Sequence, residues 1–217
     1  MMLIFCDNVY DLNKGEYEFF YSLMPSYRKK KISRYAKYED RVLGVTSYAL
    51  LKYVMHLMGI PEGDIEMGPY GKPYFKGNPV YFNISHTSNA IACAVEPSEV
   101  GVDIQNNIRE YERIAKRVCT PSEIKKIRSD AFPIQYFTKL WTLKESYVKC
   151  IGTGIWDHIS QIDFSTFDTD LGELHGYYFT CKRTEDYCLS VCSKNGKAAI
   201  QKIGVEDILK QITEKQF

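Results

Sequence analysis

The period of the apolar residues changes back and forth along this chain, and that alternation constrains the fold more than any other feature. Residues 39–58 read as a long amphipathic helix. Leu43, Tyr48, Leu50, Leu51, Val54, Met55 and Met58 form its apolar part, and Gly59 and Pro61 stop it. The pattern then becomes strand-like. PYFKGNPVYFNISHTSNAIACAVEPSEVGVDIQ divides into short strands at Gly77-Asn78, Thr87-Ser88-Asn89 and Pro97-Ser98. Helices return with TPSE, a capping box with Thr120 as N-cap, Pro121 at N1 and Glu123 at N3. A helix over 136–151 follows, with Leu140, Leu143, Tyr147 and Ile151 as its stripe and Gly152 and Gly154 at its end. Strands are expected again near 161–165, 175–182 and 186–193, and a short helix over 205–212. Ahead of the first long helix, 2–6 reads as a strand, and 16–23 and 26–37 as helices.

Helices then strands, twice over, predict an α+β protein of two similar-sized halves with antiparallel sheets, residues 1–106 and 107–217. No linker rich in Gly, Ser or Pro separates them, so they are expected to pack as one body with a ligand cleft between.

Composition narrows the function. The net charge of +1 over 217 residues argues against nucleic acid as a partner. Seven cysteines, an odd number with no C-x-x-C pair, argue against a disulfide framework or a zinc site and favour a reducing cytoplasm. The apolar start MMLIF is cut short by Asp7 and lacks a basic opening, so it reads as a strand, not a signal peptide. No stretch has the length of a membrane span, which argues against a membrane partner.

Several stretches carry polar groups with a chemical use. On the 136–151 helix, Trp141, Glu145 and Lys149 form a row beside the apolar stripe. The plain alternative is a solvated helix ion pair, worth about 0.3–0.5 kcal/mol. In GVDIQ, residues 101–105, a strand period puts Val102 and Ile104 on one face and Gly101, Asp103 and Gln105 on the other. Asp103 and Gln105 then offer oxygen ligands suited to a hard cation; the alternative is a wet strand face. FNISH ends a strand with Ser85 and His86 at its mouth, where His86 could donate to a phosphate or cap local backbone. In YGKPYF, Gly71 permits close backbone approach and Pro73 fixes φ, while Lys72 is either a phosphate ligand or an ordinary turn lysine. Arg28 and Lys31 share a helix face at i, i+3.

Taken in order, Y-G-K-P, N-I-S-H, G-V-D-I-Q and W-x-x-K-E-S-x-x-K-x-x-G-x-G resemble the 4′-phosphopantetheinyl transferases of the surfactin-synthetase-activating type, from the basic helix near residue 28 to about residue 165. The resemblance implies two similar α/β halves related by a pseudo-twofold, with the active site in the cleft between them. It implies transfer of the phosphopantetheine arm of coenzyme A to a serine of an acyl or peptidyl carrier protein, with release of adenosine 3′,5′-bisphosphate, by a monomer. Mg²⁺ is the implied metal, with Mn²⁺ as an alternative, held by Asp103, Glu145 and the Gln105 position. Glu145 becomes the general base, and Lys149 steadies the pyrophosphate and protonates the leaving phosphate. Arg28, Lys31 and His86 match the 3′-phosphate positions. Gly71, Lys72 and Pro73 match the turn beside the adenine, and Ser85 lies next to the nucleotide. Lys144 is placed near the phosphates. Trp141 is read as packing that fixes the helix. Glu123 matches a family acidic position, but its capping box already accounts for it. Many relatives carry Glu where this chain has Gln105, which leaves open a non-catalytic module that binds coenzyme A or a carrier. A metal-dependent phosphohydrolase is a third reading.

Overall fold

The structure is a computed structural model that describes residues 1–61, 63–68, 70–77, 80–153 and 156–214. Asn78 and Gly154, expected at a turn and at a helix end, lie outside those residues.

Strand β1 (Met2–Cys6) is followed by helices α1 (Lys14–Ser22), α2 (Ser26–Ile32) and α3 (Tyr38–Leu57). A hairpin of β2 (Ile65–Met67) and β3 (Pro73–Phe75) leads into β4 (Tyr81–His86), β5 (Ile91–Glu96) and β6 (Val100–Asn106). Three helices follow, α4 (Tyr111–Val118), α5 (Pro121–Ser129) and α6 (Pro133–Ile151). The chain ends through β7 (Leu171–Leu174), β8 (Tyr177–Arg183), β9 (Tyr187–Ser193), β10 (Ala199–Lys202) and α7 (Val205–Thr213).

Two four-stranded sheets, ordered β10-β1-β5-β4 and β6-β9-β8-β7, lie between the two long helices. Strand alternation assigns the layers. From β1 and β5, Ile4, Cys6, Ile91, Cys93 and Val95 pack with Leu43, Leu50 and Val54 of α3. Leu3, Phe5, Ala92 and Ala94 face the opposite way, onto Val102, Ile104, Leu189 and Val191 of the second sheet. The far side of that sheet packs Phe179 and Cys192 with Phe137, Leu140 and Leu143 of α6. The fold is therefore α+β, with two similar α/β halves that each carry one long helix on one sheet.

The sheets do not divide at residue 106. β6 pairs with β9 in the second sheet, and β10 returns to pair with β1 in the first, followed by α7 against the α3 side of the core. A cut drawn by sequence position misses this exchange because each sheet is completed by a strand from beyond the cut.

Two element expectations also change, and two further elements appear. The helix expected over 26–37 ends at Ile32, whose buried side chain docks on α3; a Cβ at Gly44 would stand 2.2 Å from Ile32 Cδ1. Arg34 and Tyr35 then close turns by bonding three residues back. The expected strand near 161–165 is a turn, because side chains capture its backbone: Phe164 N–H donates to Glu123 Oε1 and Ser165 N–H to Asp163 Oδ1. α4 and β10 were not anticipated; the first is charge-rich and the second short.

Candidate active site

The close approach of α6 to β6 builds the site. Gly101 is what allows it: a Cβ there would stand 2.0 Å from Ser146 O and 2.3 Å from Cys150 N, inside the helix backbone. Two residues on, Asp103 faces the same helix and is buried. Lys149 Nζ donates to Asp103 Oδ1 at 2.6 Å and to Ser85 Oγ at 3.1 Å, and Ser85 Oγ donates to the same Oδ1 at 2.8 Å. Asp103 Oδ2 is buried and meets no donor among the described residues. Burial outweighs Lys149 and Ser85 and raises the Asp103 pKa. Glu145, one turn before Lys149, is 9% exposed. Its own burial first, and the Asp103 charge second, push its carboxyl up to about 7 against the pull of Lys149.

A second device aligns β4 with β6, the edge strands of their two sheets. Asn83, Ser85 and Thr87 project at a strand period and accept from Val102 N–H at 2.8 Å, Ile104 N–H at 3.3 Å and Asn106 N–H at 3.1 Å. Side chains thus take the place of a backbone ladder on this edge of β6. This role of Asn83 and Thr87 was missed; polar residues at i, i+2 and i+4 were the available signal. Gly101 was assigned only to a strand face.

The cleft mouth gathers cations. His86 ends β4 with an exposed ring; desolvation by the surrounding protein lowers its pKa, and the charges of Lys149 and Lys31 add to this. Lys31 on α2 and Lys149 on α6 therefore both act on His86. Arg28 stacks on Tyr48, its guanidinium carbon 5.7 Å from the ring centroid, and its buried Nε has no acceptor among the described residues. Gln105 lies half-buried at the α6-facing positions of β6 with Gly101 and Asp103. Trp141 stacks obliquely near Phe137, with centroids 6.4 Å apart, as packing requires.

Two lysines are not where the sequence puts them. Lys144 points away from the cleft into the second half. Its enclosed ammonium donates to Val118 O at 2.7 Å, Ile159 O at 3.1 Å and Ile162 O at 2.7 Å, and pairs with Glu123 Oε2 at 2.8 Å. Glu123 also accepts from Thr120 N–H and Phe164 N–H, so the capping box doubles as the anchor of a buried ion pair. The helical period places Lys144 on the core side of Glu145, and that side is where it goes. Lys72 Nζ donates to Val100 O, Lys149 O and Cys150 O. An ammonium has three donors, so none remains for a phosphate. The backbone of its turn is closed by Gly68 N–H on Lys72 O and Gly71 N–H on Gly68 O, with Gly71 at φ 78°.

The donor set suits a hard divalent cation. Among the described residues no cluster of three or more His, Cys, Asp or Glu side chains could hold a metal ion. Two buried carboxylates with one orphaned oxygen, and the half-buried amide of Gln105 two residues after Asp103 in β6, could still suit an ion that keeps water and substrate oxygens in its shell. The same residues can take a proton at Glu145 and present positive charge at Lys149.

Residues 99–201 match the 4′-phosphopantetheinyl transferase superfamily. A 4′-phosphopantetheinyl transferase of Bacillus subtilis is 30% identical over 198 residues, which cover 84% of this chain and 87% of that protein. The 4′-phosphopantetheinyl transferase gsp of Aneurinibacillus migulanus is 28% identical over 151 residues, 67% of this chain and 63% of that relative, less than two thirds of its length. A human L-aminoadipate-semialdehyde dehydrogenase-phosphopantetheinyl transferase is 29% identical over 176 residues, 71% of this chain and 57% of its own. The match to the superfamily begins one residue before β6 and takes in α6, the two elements that bring Asp103, Glu145 and Lys149 together. The chain belongs to the 4′-phosphopantetheinyl transferase superfamily.

Proposed function

We propose that this chain transfers the 4′-phosphopantetheine arm of coenzyme A to a serine hydroxyl of an acyl or peptidyl carrier protein, releasing adenosine 3′,5′-bisphosphate. The observation that carries the reading is the pairing of Lys149 with Asp103 beside a buried Glu145. Glu145, whose carboxyl burial pushes up to about 7 while no metal cation offsets it, would be ionised with such a cation alongside and is placed to take the serine proton. Lys149 commits two of its three donors to Asp103 Oδ1 and Ser85 Oγ and keeps one for a phosphate oxygen or for protonating the departing phosphate. Asp103, Glu145 and Gln105 would hold Mg²⁺, which when bound supplies charge neutralisation at the pyrophosphate. Lys31 and His86, with Arg28 reoriented from Tyr48, hold the 3′-phosphate, and the Gly71–Pro73 backbone borders the adenine. The active site completes itself within one chain, so a monomer suffices. No helix among the described residues is long and apolar enough to cross a membrane, and a cytoplasmic location suits both substrates.

The test is mass spectrometry of an unmodified carrier protein incubated with this chain, coenzyme A and Mg²⁺. A mass gain equal to the phosphopantetheine arm, on the carrier serine, is expected. Coenzyme A consumption without carrier modification would overturn transfer in favour of hydrolysis, and binding without consumption would leave a binding module.

A further inference from the structure

The C-terminal end of α6 is held by a lysine from the other side of the cleft. The last carbonyls of a helix have no partners within it, and a cation placed there meets the negative end of the helix dipole. Here Gly152, left-handed at φ 69°, bonds back to Val148 O at 3.0 Å. Lys149 O and Cys150 O instead accept from Lys72 Nζ at 2.6 Å and 3.0 Å, across 77 and 78 positions of sequence. The third donor goes to Val100 O at 3.0 Å. Val100 opens β6 three residues before Asp103, and Lys149 is itself bonded to Asp103. One ammonium therefore ties the helix turn that carries Lys149 to the strand start that carries Asp103. The stem of Lys72 lies against the helix end: a Cβ at Gly152 would meet Lys72 Cδ at 3.4 Å. The same turn borders an open cavity of about 380 Å³ lined by Met67, Pro73, Phe82 and Ile151, so the clamp joins the cavity wall to the reacting helix.

We infer that Lys72 is a positioning residue, one that clamps α6 to β6 and so fixes Lys149 and Glu145 against Asp103. The inference rests on the transferase reading above, and it replaces the role of phosphate ligand for this side chain. A lysine that binds coenzyme A contributes to KM for coenzyme A. A lysine that sets the spacing of groups acting on the reacting atoms contributes to kcat, and a misplacement of about 1 Å costs on the order of 10²-fold.

The experiment compares Lys72→Met and Lys72→Arg with the wild type in carrier modification at varied coenzyme A. Calorimetric titration counts binding-competent sites, so that a loss of folded protein is divided out. Lys72→Met is expected to lower kcat per competent site by on the order of 10²-fold with KM for coenzyme A held within about twofold. Lys72→Arg, still a cation able to donate to the carbonyls, recovers part of that loss. Unchanged kcat, or a raised KM at wild-type kcat, overturns the clamp. Should Lys72→Met fail to fold, Lys72→Gln replaces it under the same two criteria. Amide hydrogen exchange separates this inference from the transferase reading. Faster exchange at residues 149–152 in the variant supports the clamp even if the wild type modifies no carrier, and unchanged protection there overturns it.

Discussion

Lys149 and Asp103 form a 2.6 Å ion pair that uses only one oxygen of the carboxylate; the other, Oδ2, is buried and has no donor among the described residues. Leaving a buried carboxylate oxygen unpaired costs free energy unless something occupies it in the working state. With Glu145 also enclosed nearby, burial raises both pKa values and the Asp103 charge adds to the rise at Glu145, so a cation between them would relieve both.

The first prediction follows from Glu145. Its pKa rises from an ordinary 4.5 to about 7 in the folded chain, so between those values the folded state binds more protons than the unfolded one. Stability is therefore greatest below pH 4.5 as far as this group is concerned, falls as pH rises through the interval, and is flat above it. The loss amounts to up to about 3 kcal/mol. Urea unfolding in the presence of a chelator, from pH 5 to 8, should show this slope, and Glu145→Gln should remove most of it. Glu145→Gln should also abolish transfer while remaining folded. A chelated wild type equally stable at pH 5 and 8 would contradict the placement of this carboxyl.

Gly101→Ala tests the approach of β6 to α6. The added methyl group meets the helix backbone at 2.0 and 2.3 Å, which no flexible side chain can relieve. Overpacking of this kind costs about 1–3 kcal/mol and displaces the helix. Transfer should fall more steeply than folded content, since Lys149 moves away from Asp103. Near-normal stability and activity would mean that the two elements can separate without consequence.

Lys144→Met should act on folding and not on coenzyme A. Lys144 and Glu123 form an ion pair in which both side chains are 0% exposed. Removing one partner of such a pair costs about 3–5 kcal/mol, whereas replacing both is much milder. Denaturant melts of Lys144→Met, Glu123→Gln and the double variant should therefore be strongly non-additive. KM for coenzyme A of the folded fraction should stay at the wild-type value; a large rise would return Lys144 to the phosphates.

The contrast between Lys144 and Lys149 explains how much of this site was legible in sequence. The helical period placed Glu145 and Lys149 in one row and the strand period placed Asp103 and Gln105 on one face, while the family resemblance set the two opposite each other; both patterns are local and both survive folding. The helical period gave the side to which Lys144 turns, but the partners of Lys72 and Lys144 were not legible, because apart from Glu123 they are backbone carbonyls at positions 100, 118, 149, 150, 159 and 162, brought to them only by tertiary packing. Carbonyls carry no residue identity, so no pattern of side chains announces them. The same holds for the fold. Long helices and most strands followed from periodicity, but the pairing of β10 with β1 is a long-range choice that a short, exposed strand does not advertise.

Dephospho-coenzyme A, which lacks the 3′-phosphate, probes the cationic mouth. Lys31 and Lys149 act on His86, and Arg28 has a buried Nε without an acceptor among the described residues. Loss of the phosphate should weaken binding by about 1–3 kcal/mol through lost charge-assisted hydrogen bonds. Calorimetry of an Arg28→Ala, Lys31→Ala variant should show a smaller difference between the two ligands. Equal wild-type affinity for both ligands would place the 3′-phosphate elsewhere.

Gln105 offers the sharpest test of the metal set. It sits half-buried two residues after Asp103 in the same strand, on the face turned to α6. A carboxylate there would add a negative charge beside Asp103 and Glu145, and hard cations favour carboxylate over amide oxygen. Gln105→Glu should therefore lower the Mg²⁺ concentration for half-maximal transfer. Gln105→Ala should raise it slightly, or leave it alone if water already takes that place. Asp103→Asn should be far worse than either, because it leaves Glu145 as the single carboxylate of the set and weakens the hold on Lys149. The added charge carries a second expectation. Without metal, a third carboxylate in this enclosed cluster raises the cost of ionisation, so chelated Gln105→Glu should be less stable than wild type at pH 8 and recover on adding Mg²⁺. Stabilisation by Mg²⁺ that is the same in both proteins, together with an unchanged Mg²⁺ titration of transfer, would put Gln105 outside the metal's reach and leave the cation to two carboxylates, water and substrate.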